Sequence, residues 1–376
     1  MMNRTGVYVH IPFCRKKCLY CDFPSQAGRD GHFEAYKDAV VYEIDHSAEL
    51  PVSEIDTVFF GGGTPTVMPP IFLAEILEHI FQYAVAPGAE ITVEANPGSV
   101  DRESLRVLRK AGFNRLSLGA QAWQDHLLRR MGRIHSADDI ARAYEAAAAA
   151  DFDNINLDLM FSLPGQSMEE WIETLRMAAS LNPAHISAYS LTVEEGTVFG
   201  RLFGEGGLQR PDEDEDRLMY YAASDILGAY GLYHYEISNY ALKGRECRHN
   251  IKYWKRAPYI GFGTDSHSFY DNTRWRNIHS LEKYLCIAEG SDIREEINRV
   301  TKKEAMEETM FLGLRLNEGV SEEGFRRAHG VGLFEIYGGV IQKMRNSGLM
   351  EQAEGRVFLT AKGRDVSNYV FIEFLI

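Results

Sequence analysis

Cysteine is scarce in this chain, with five among 376 residues, and so sparse a set excludes a small secreted fold stapled by disulfides. No leader-like segment precedes the first apolar strand, which together with the low cysteine count points to a reducing, cytoplasmic setting. Long hydrophobic runs are missing as well: none reaches the roughly 18–20 residues that a membrane-spanning helix needs, so no transmembrane segment is expected. Basic charge is also short, since 40 Lys and Arg against 54 Asp and Glu give a formal charge of −14. Without an excess of cations there is no general basic face for phosphate backbones, so nucleic acid is not an expected partner. Internal repeats and long low-complexity linkers are absent, while 45% hydrophobic residues suffice for a large core and a second, small one.

Three of the few cysteines stand within eight residues, as Cys14-Arg15-Lys16-Lys17-Cys18-Leu19-Tyr20-Cys21. Three thiolates on one loop suit an iron–sulfur cluster. Four sulfur ligands would close a four-iron cluster, so three leave one iron open to hold a small polar ligand and pass it an electron. A tetrahedral zinc site would need a second ligand pair, which does not follow at usable spacing. A disulfide or three unconnected buried thiols are the remaining readings. Arg15, Lys16 and Lys17 form a basic exception in an acidic chain, either to receive an electron donor's acidic surface or as a solvated loop.

Short apolar or β-branched runs alternate with helical patterns. Strands are predicted at Val7–Ile11, Thr57–Phe60, Glu90–Glu94, Arg115–Leu118, Asn154–Met160 and His185–Leu191. Helices are predicted at Phe33–Leu50, Pro70–Tyr83, Asp101–Ala111, Ser136–Ala150 and Ser167–Ser180. Ser167 with Glu170 reads as a capping box and Gly112 as a helix stop. This grammar gives βα units around a parallel sheet, and in barrels of such units the site is built at the carboxyl ends of the strands. Polar and glycine residues gather there: Gly61-Gly62-Gly63-Thr64 after the second strand, Glu94 at the end of the third, Gln121 after the fourth, Asp158 within the fifth. A glycine run alone is no more than a tight turn and lacks the phosphate-loop pattern. Beside the cysteines, Gly62, Gly63 and Thr64 would let the backbone approach a polar ligand.

The CxxxCxxC spacing, with Tyr20 directly before the third cysteine, resembles the signature of radical S-adenosylmethionine (SAM) proteins. Tyr8-Val9-His10-Ile11-Pro12-Phe13-Cys14, closed by Cys21-Asp22-Phe23, is similar to the branch holding oxygen-independent coproporphyrinogen III dehydrogenases and HemW-like heme chaperones, and the likeness runs over nearly the whole chain. The resemblance implies an α/β fold, a partial (β/α)6 TIM-like barrel with a small C-terminal α+β, winged-helix-like domain. It also implies a [4Fe-4S] cluster on Cys14, Cys18 and Cys21, and SAM contacts from Tyr8, Tyr20, Gly62, Gly63, Thr64, Glu94, Gln121, Arg133 and Asp158. The bland rivals are a carboxylate that caps a neighbouring loop and, for Arg133, a surface charge. A reduced cluster would pass one electron to the sulfonium of SAM, chemistry that belongs to the cofactors.

Two features separate the branches. Dehydrogenases have a fourth cysteine where this chain has Phe23, and they carry an N-terminal extension, whereas this chain starts five residues before Gly6. His249-Asn250-Ile251-Lys252-Tyr253-Trp254 matches the HNxxYW motif of the HemW-like branch. There His249 is expected to contact heme, with the alternative that it ties a loop to the barrel. Cys247 and His267, the latter in Gly261–His267, are further heme-ligand candidates, while Cys286 has no pattern around it. The acidic run Pro211–Asp216 reads as a helix start. The tail is predicted as helices at Thr301–Leu314, Ser321–Ala328 and Leu333–Arg345, a hairpin at Leu349–Leu359 and a last helix. The expected division is a core barrel over 1–240, a connecting segment over 241–290 and a C-terminal domain over 291–376. The functional expectation is a heme chaperone that delivers heme to apo-proteins, with an electron donor for its cluster and no assigned catalytic residue. The alternatives are a coproporphyrinogen dehydrogenase and a radical enzyme acting on another substrate.

Overall fold

A computed structural model describes residues 3–209, 212–290 and 292–375. Pro211, at the head of the acidic run, and Ser291, at the expected domain boundary, lie outside the described residues. Six strands and six helices alternate in the first part: β1 (Asn3–Ile11), α1 (Phe33–Asp45), β2 (Ser53–Gly62), α2 (Pro70–Ile80), β3 (Val85–Ala95), α3 (Arg102–Ala111), β4 (Arg115–Gln121), α4 (Ala137–Ala148), β5 (Ile155–Phe161), α5 (Met168–Ser180), β6 (His185–Ser190) and α6 (Glu213–Ala229). The capping box at Ser167 and Glu170 opens α5, and Gly112 closes α3 in the left-handed region at φ 119°.

The strands have two unlike faces. Val7 and Val9, Val58 and Phe60, Ile91 and Val93, Leu116 and Leu118, and Leu157 and Leu159 belong to one buried cluster with the helices. Alternation turns the intervening residues inward, and many of these are polar and hydrogen-bonded, as when Ser117 donates to Asp158 at 2.9 Å and Thr57 pairs with His249 at 2.9 Å. The helix-facing side therefore supplies most of the hydrophobic stabilisation, and the inside of the barrel is left for polar side chains.

The sheet continues beyond the six strands. After β7 (Tyr233–Glu236) and β8 (Asn239–Ala241) the chain forms helix α7 (Arg248–Trp254), then β9 (Tyr259–Phe262), β10 (His267–Tyr270), β11 (Thr273–Asn277) and β12 (Arg294–Arg299). The twelve strands run in the order β12-β11-β10-β9-β1-β2-β3-β4-β5-β6-β8-β7. β9 lies parallel to β1, with Gly6 opposite Tyr259, and the strands beyond it and beyond β6 are antiparallel. With β12 and β7 at its two ends, the barrel is partial. Gly261 and Phe262, which open the Gly261–His267 segment, are strand. A Cβ on Gly261 would stand 2.4 Å from the His267 carbonyl oxygen, so glycine is required where the chain folds back on β9.

Residues 302–374 pack a separate core around Met310, Phe325, Tyr337, Ile341, Met344 and Val357. Helix α8 (Lys302–Gly313) leads into two further helices, α9 (Glu322–His329) and α10 (Leu333–Asn346), and into the hairpin of Met350–Ala353 with Arg356–Leu359. This α+β unit is fastened to the barrel by Glu308, which accepts from Arg256 and from Arg274, the latter at 2.9 Å. The Arg315 guanidinium also lies 4.5 Å from the centre of the Trp254 ring. Among the described residues no helix is long and apolar enough to cross a membrane.

Candidate functional site: a cysteine loop over a polar cavity

The carboxyl ends of the parallel strands surround a cavity of about 450 Å³, roofed by the loop that leaves β1. Backbone bonds fix this loop on the turn after β2: the Gly63 N–H donates to the Ile11 carbonyl at 2.8 Å and the Thr64 N–H to the Phe13 carbonyl at 2.8 Å. Gly62 has φ 108°, and a Cβ there would lie 2.4 Å from the His10 ring; one on Gly63 would lie 2.6 Å from the Phe13 oxygen. These glycines are therefore required by close packing under the cysteine loop, a requirement separate from any ligand.

Cys14, Cys18 and Cys21 all border the cavity. The Cys14 sulfur is 3.6 Å from Thr64 Oγ1, and Arg133 donates to the Cys18 sulfur at 3.5 Å. Burial pushes the Cys14 and Cys21 thiols up, with a further rise from the neighbouring sulfurs. Such thiols become thiolates on meeting cationic iron. Among the described residues no three His, Cys, Asp or Glu converge on one point as ligands of a single ion. A four-iron cluster takes each cysteine at a different iron, so a spread but interacting sulfur trio fits a cluster and not a tetrahedral zinc. Arg133 is no free surface charge: it also donates to the Asn96 side chain and the Gly119 carbonyl, tying the cysteine loop to the ends of β3 and β4. Tyr20 borders the cavity too, and burial raises its pKa despite the nearby Arg133 cation.

Part of the cavity wall is acidic. Glu94 accepts the Gly62 N–H at 3.1 Å, and its pKa is pushed up to about 8 by burial and by the Asp158 charge, against the pull of that N–H and of Arg115. Asp158 accepts from Ser117 at 2.9 Å and from Asn156 at 2.8 Å. Gln121 lines the same wall at φ 69°, where the pairing of β4 with β5 shifts register. Carboxyl groups, an arginine and three thiols around one cavity give it groups of both characters, suited to a small zwitterionic ligand beside a metal cluster. Tyr8 is not on this wall: its hydroxyl meets His10 Nδ1 at 3.0 Å and its ring stacks on Phe59. Sequence reasoning passed over Asn96, which donates to Thr64 Oγ1 at 2.8 Å and joins the cysteine loop to Arg133. Its signal is an Asn-Pro pair two residues after Glu94, a turn opening at a strand end.

His249 lies at the other end of the barrel. Helix α7 closes the amino-terminal ends of the strands, with the backbone N–H groups of Arg248 and His249 donating to the Glu90 carboxylate at 3.1 and 3.0 Å. The imidazole is 1% exposed, with Nδ1 paired to Thr57 Oγ1 and Nε2 to Tyr253 OH, each at 2.9 Å. Burial, then Lys252 and Arg115, lower its pKa to about 3. Both nitrogens are thus engaged within the protein, and a heme iron would reach this ring only if α7 left the floor. Cys247 is buried at the cap of α7, Cys286 is exposed, and His267 pairs with Arg276 of β11.

The model of the radical SAM superfamily matches residues 8–178, the stretch from β1 into α5, and that of the HemN C-terminal domain matches residues 300–366. The heme chaperone HemW of Bacillus subtilis is 37% identical over 375 residues, 98% of this chain and 99% of that one. The heme chaperone HemW of Lactococcus lactis is 36% identical over 378 residues, 100% and 98% of the two chains. The mouse mitochondrial radical S-adenosyl methionine domain-containing protein 1 is 34% identical over 337 residues, 86% and 76%. The chain belongs to the HemW family of the radical SAM superfamily. Its fold is shared with coproporphyrinogen III oxidase (HemN) from Escherichia coli, a radical SAM enzyme, at a TM-score of 0.85 and 22% identity over 100% of this chain and 91% of that one.

Proposed function

We propose that this protein is a cytoplasmic heme chaperone that binds heme and passes it to acceptor apo-proteins, on a barrel that carries a [4Fe-4S] cluster and an exchangeable SAM. The observation that carries this reading is the likeness along 98% of the chain to a protein named as a heme chaperone. Phe23, in the position of the dehydrogenases' fourth cysteine, supports it. Cys14, Cys18 and Cys21 would hold the cluster, which when reduced supplies one electron to a sulfonium bound beside it.

This chain's own residues bind and orient. Gly62, Gly63 and Thr64 take the methionyl end of SAM. Arg133 holds Cys18 and offers a cation, while Glu94, Gln121 and Asp158 supply acceptors for the ligand's ammonium and hydroxyls. Tyr20 shields the site from water, and Tyr8 supports it from behind through His10. The division into a barrel over 1–240, a connecting segment over 241–290 and a C-terminal domain over 291–376 belongs to the same reading, with an electron donor as the partner of the cluster and no nucleic acid.

The test is an anaerobic assay of the reconstituted protein with SAM, a reductant and coproporphyrinogen III, followed by heme titration and transfer to an apo-protein. Stoichiometric heme binding and transfer without decarboxylated product is the expected result. Decarboxylated product would assign the chain to porphyrin synthesis instead.

A further inference from the structure

Below the residues that line the cavity, the barrel carries a second set of polar side chains. On β5, Asp158 and Met160 line the cavity and Asn156 stands two residues earlier on the same face. On β6, Tyr189 lines it, with Ser187 and His185 at the preceding positions of that face. The parallel register sets Asn156 beside His185 and Asp158 beside Ser187. His185 and Asn156 are buried, and neither borders the cavity, so whatever they contribute to a ligand passes through Asp158.

The donors in this set all run toward Asp158. Its carboxylate only accepts, so the Asn156 amide turns its nitrogen to it: Nδ2 donates to Asp158 Oδ1 at 2.8 Å and to Ser117 Oγ at 2.7 Å. Ser117 in turn donates to Asp158 Oδ2 at 2.9 Å. That orientation presents the Asn156 oxygen to His185 Nδ1, 2.7 Å away, and Nδ1 must therefore carry the hydrogen. Burial, then the Arg115 charge, hold the pKa of His185 well below its ordinary value. The ring is neutral, so Nε2 is bare and accepts from the Tyr235 hydroxyl at 2.8 Å. The reverse amide orientation would set the Asn156 oxygen against the Asp158 carboxylate. One tautomer of one buried histidine thus fixes the amide that holds Asp158.

We propose that His185 is a positioning residue for the cavity ligand: through Asn156 it fixes Asp158 so that the carboxylate's remaining lone pairs are kept for the hydroxyl groups of SAM. The proposal rests on the reading that the cavity takes SAM. An Asp158 ordered in advance costs the ligand nothing to immobilise, and in a buried setting each bond of the set strengthens the next. Without the Nδ1 donor the Asn156 amide is free to turn, and the acceptor would have to be ordered as the ligand binds.

The experiment measures SAM affinity by isothermal titration calorimetry on the reconstituted full-length protein, with variants matched in iron content. No turnover is involved. His185→Leu removes the Nδ1 donor and is expected to weaken SAM by about tenfold, the worth of a hydrogen bond to a charged acceptor. His185→Asn places an amide N–H where the Nδ1–H stood and should recover most of that loss, although it strands the Tyr235 hydroxyl and unfolds at lower urea. In an Asp158→Ala background, His185→Leu should change the affinity no further, because the residue it acts through is gone. An equal loss in the leucine and asparagine variants, or a further loss in the Asp158→Ala background, would overturn the proposal, since either means that only the packing of the ring matters. A parent that binds SAM with an affinity unchanged in His185→Leu overturns this proposal alone, whereas a parent that binds none overturns the reading of the cavity together with it. Should His185→Leu not fold, nitrogen NMR of the histidine-labelled parent decides. The signal lost in His185→Asn must show hydrogen on Nδ1 and none on Nε2, and the opposite tautomer would overturn the proposal.

Discussion

Replacing His249 by alanine tests what the HNxxYW helix does. The side chain is 1% exposed and bonded at both nitrogens, so its removal leaves a cavity and strands the hydroxyls of Thr57 and Tyr253. Truncating a buried side chain costs about 2–5 kcal/mol and an orphaned buried hydroxyl about 1–3 kcal/mol. The terms overlap, because one substitution produces both the cavity and the orphaned hydroxyls, and a net loss of about 3–5 kcal/mol is the expectation. Urea unfolding measures it as a lower midpoint at unchanged slope. The same variant reports on pH. Burial holds the imidazole neutral, with its pKa lowered from 6.5 to about 3, so the native state binds fewer protons here than the unfolded chain. That contribution to stability is present above pH 6.5 and is lost as pH falls toward 3. His249→Ala should therefore lose part of the parent's acid sensitivity, alongside the buried His185 and His234, which are shifted the same way. Heme titration at a temperature where the variant is folded should give the parent's affinity. A variant as stable as the parent that loses heme binding would refute the reasoning and make the ring a heme ligand exposed by movement of α7.

Gly62→Ala must adopt φ 108° and meet His10 at 2.4 Å; the strain, about 1–3 kcal/mol before any clash, should appear as a lower melting temperature and reduced iron per chain after reconstitution. Cys18→Ala should abolish cluster absorbance after anaerobic reconstitution, and a surviving four-iron signal would overturn the ligand assignment. Glu94 has a folded pKa raised to about 8 from 4.5, so its contribution to stability is full below pH 4.5 and is lost as pH rises through 8. Glu94→Gln should flatten the stability profile across that window, although Glu43, raised to about 7, keeps part of the slope. Glu308→Gln removes the negative charge and one of the two acceptor oxygens that Arg256 and Arg274 share; faster proteolytic release of the C-terminal unit, seen on gels, is the expected consequence.

The six barrel strands were legible because their outer faces need β-branched and aliphatic residues against the helices, a local requirement that composition reports directly. Grouping of side chains was legible where it depends on residue type and spacing, as in the cysteine loop, whose three thiols border one cavity. Placement was not. HNxxYW names a histidine with aromatic neighbours, but nothing in its spacing says which end of the barrel the helix closes; that is decided by Glu90 of β3, some 160 positions earlier in the chain, which caps α7. The antiparallel extension β9 to β12 was hidden for a related reason. Glycine is disfavoured in strands by local propensity, yet at Gly261 a close backbone approach overrides propensity. Gly62 and Gly63 show the converse: a ligand was a sufficient reason for them, but the packing of the loop on His10 and Phe13 already demands them.

The polar inside of the barrel brings the two ends of the molecule into one network. From the cavity, Asp158 accepts from Asn156 at 2.8 Å, and the Asn156 carbonyl meets His185 Nδ1 at 2.7 Å. His185 Nε2 pairs with Tyr235 OH at 2.8 Å, and that hydroxyl accepts the N–H of Cys247, the cap of α7, at 3.2 Å. Asn156 also donates to Ser117 at 2.7 Å and accepts from Ser187 at 3.2 Å, so both sides of its amide are engaged. A buried column of this kind holds only while every member keeps its partners, because low dielectric strengthens the bonds and raises the cost of each vacancy. The network therefore fixes which rotamers Asp158 and the cap of α7 can adopt, and the motif helix contributes to the shape of the acidic wall without touching it. That connection is a continuous hydrogen-bonded path between the floor of the barrel and the cavity at its mouth, one that neither motif discloses when read by itself.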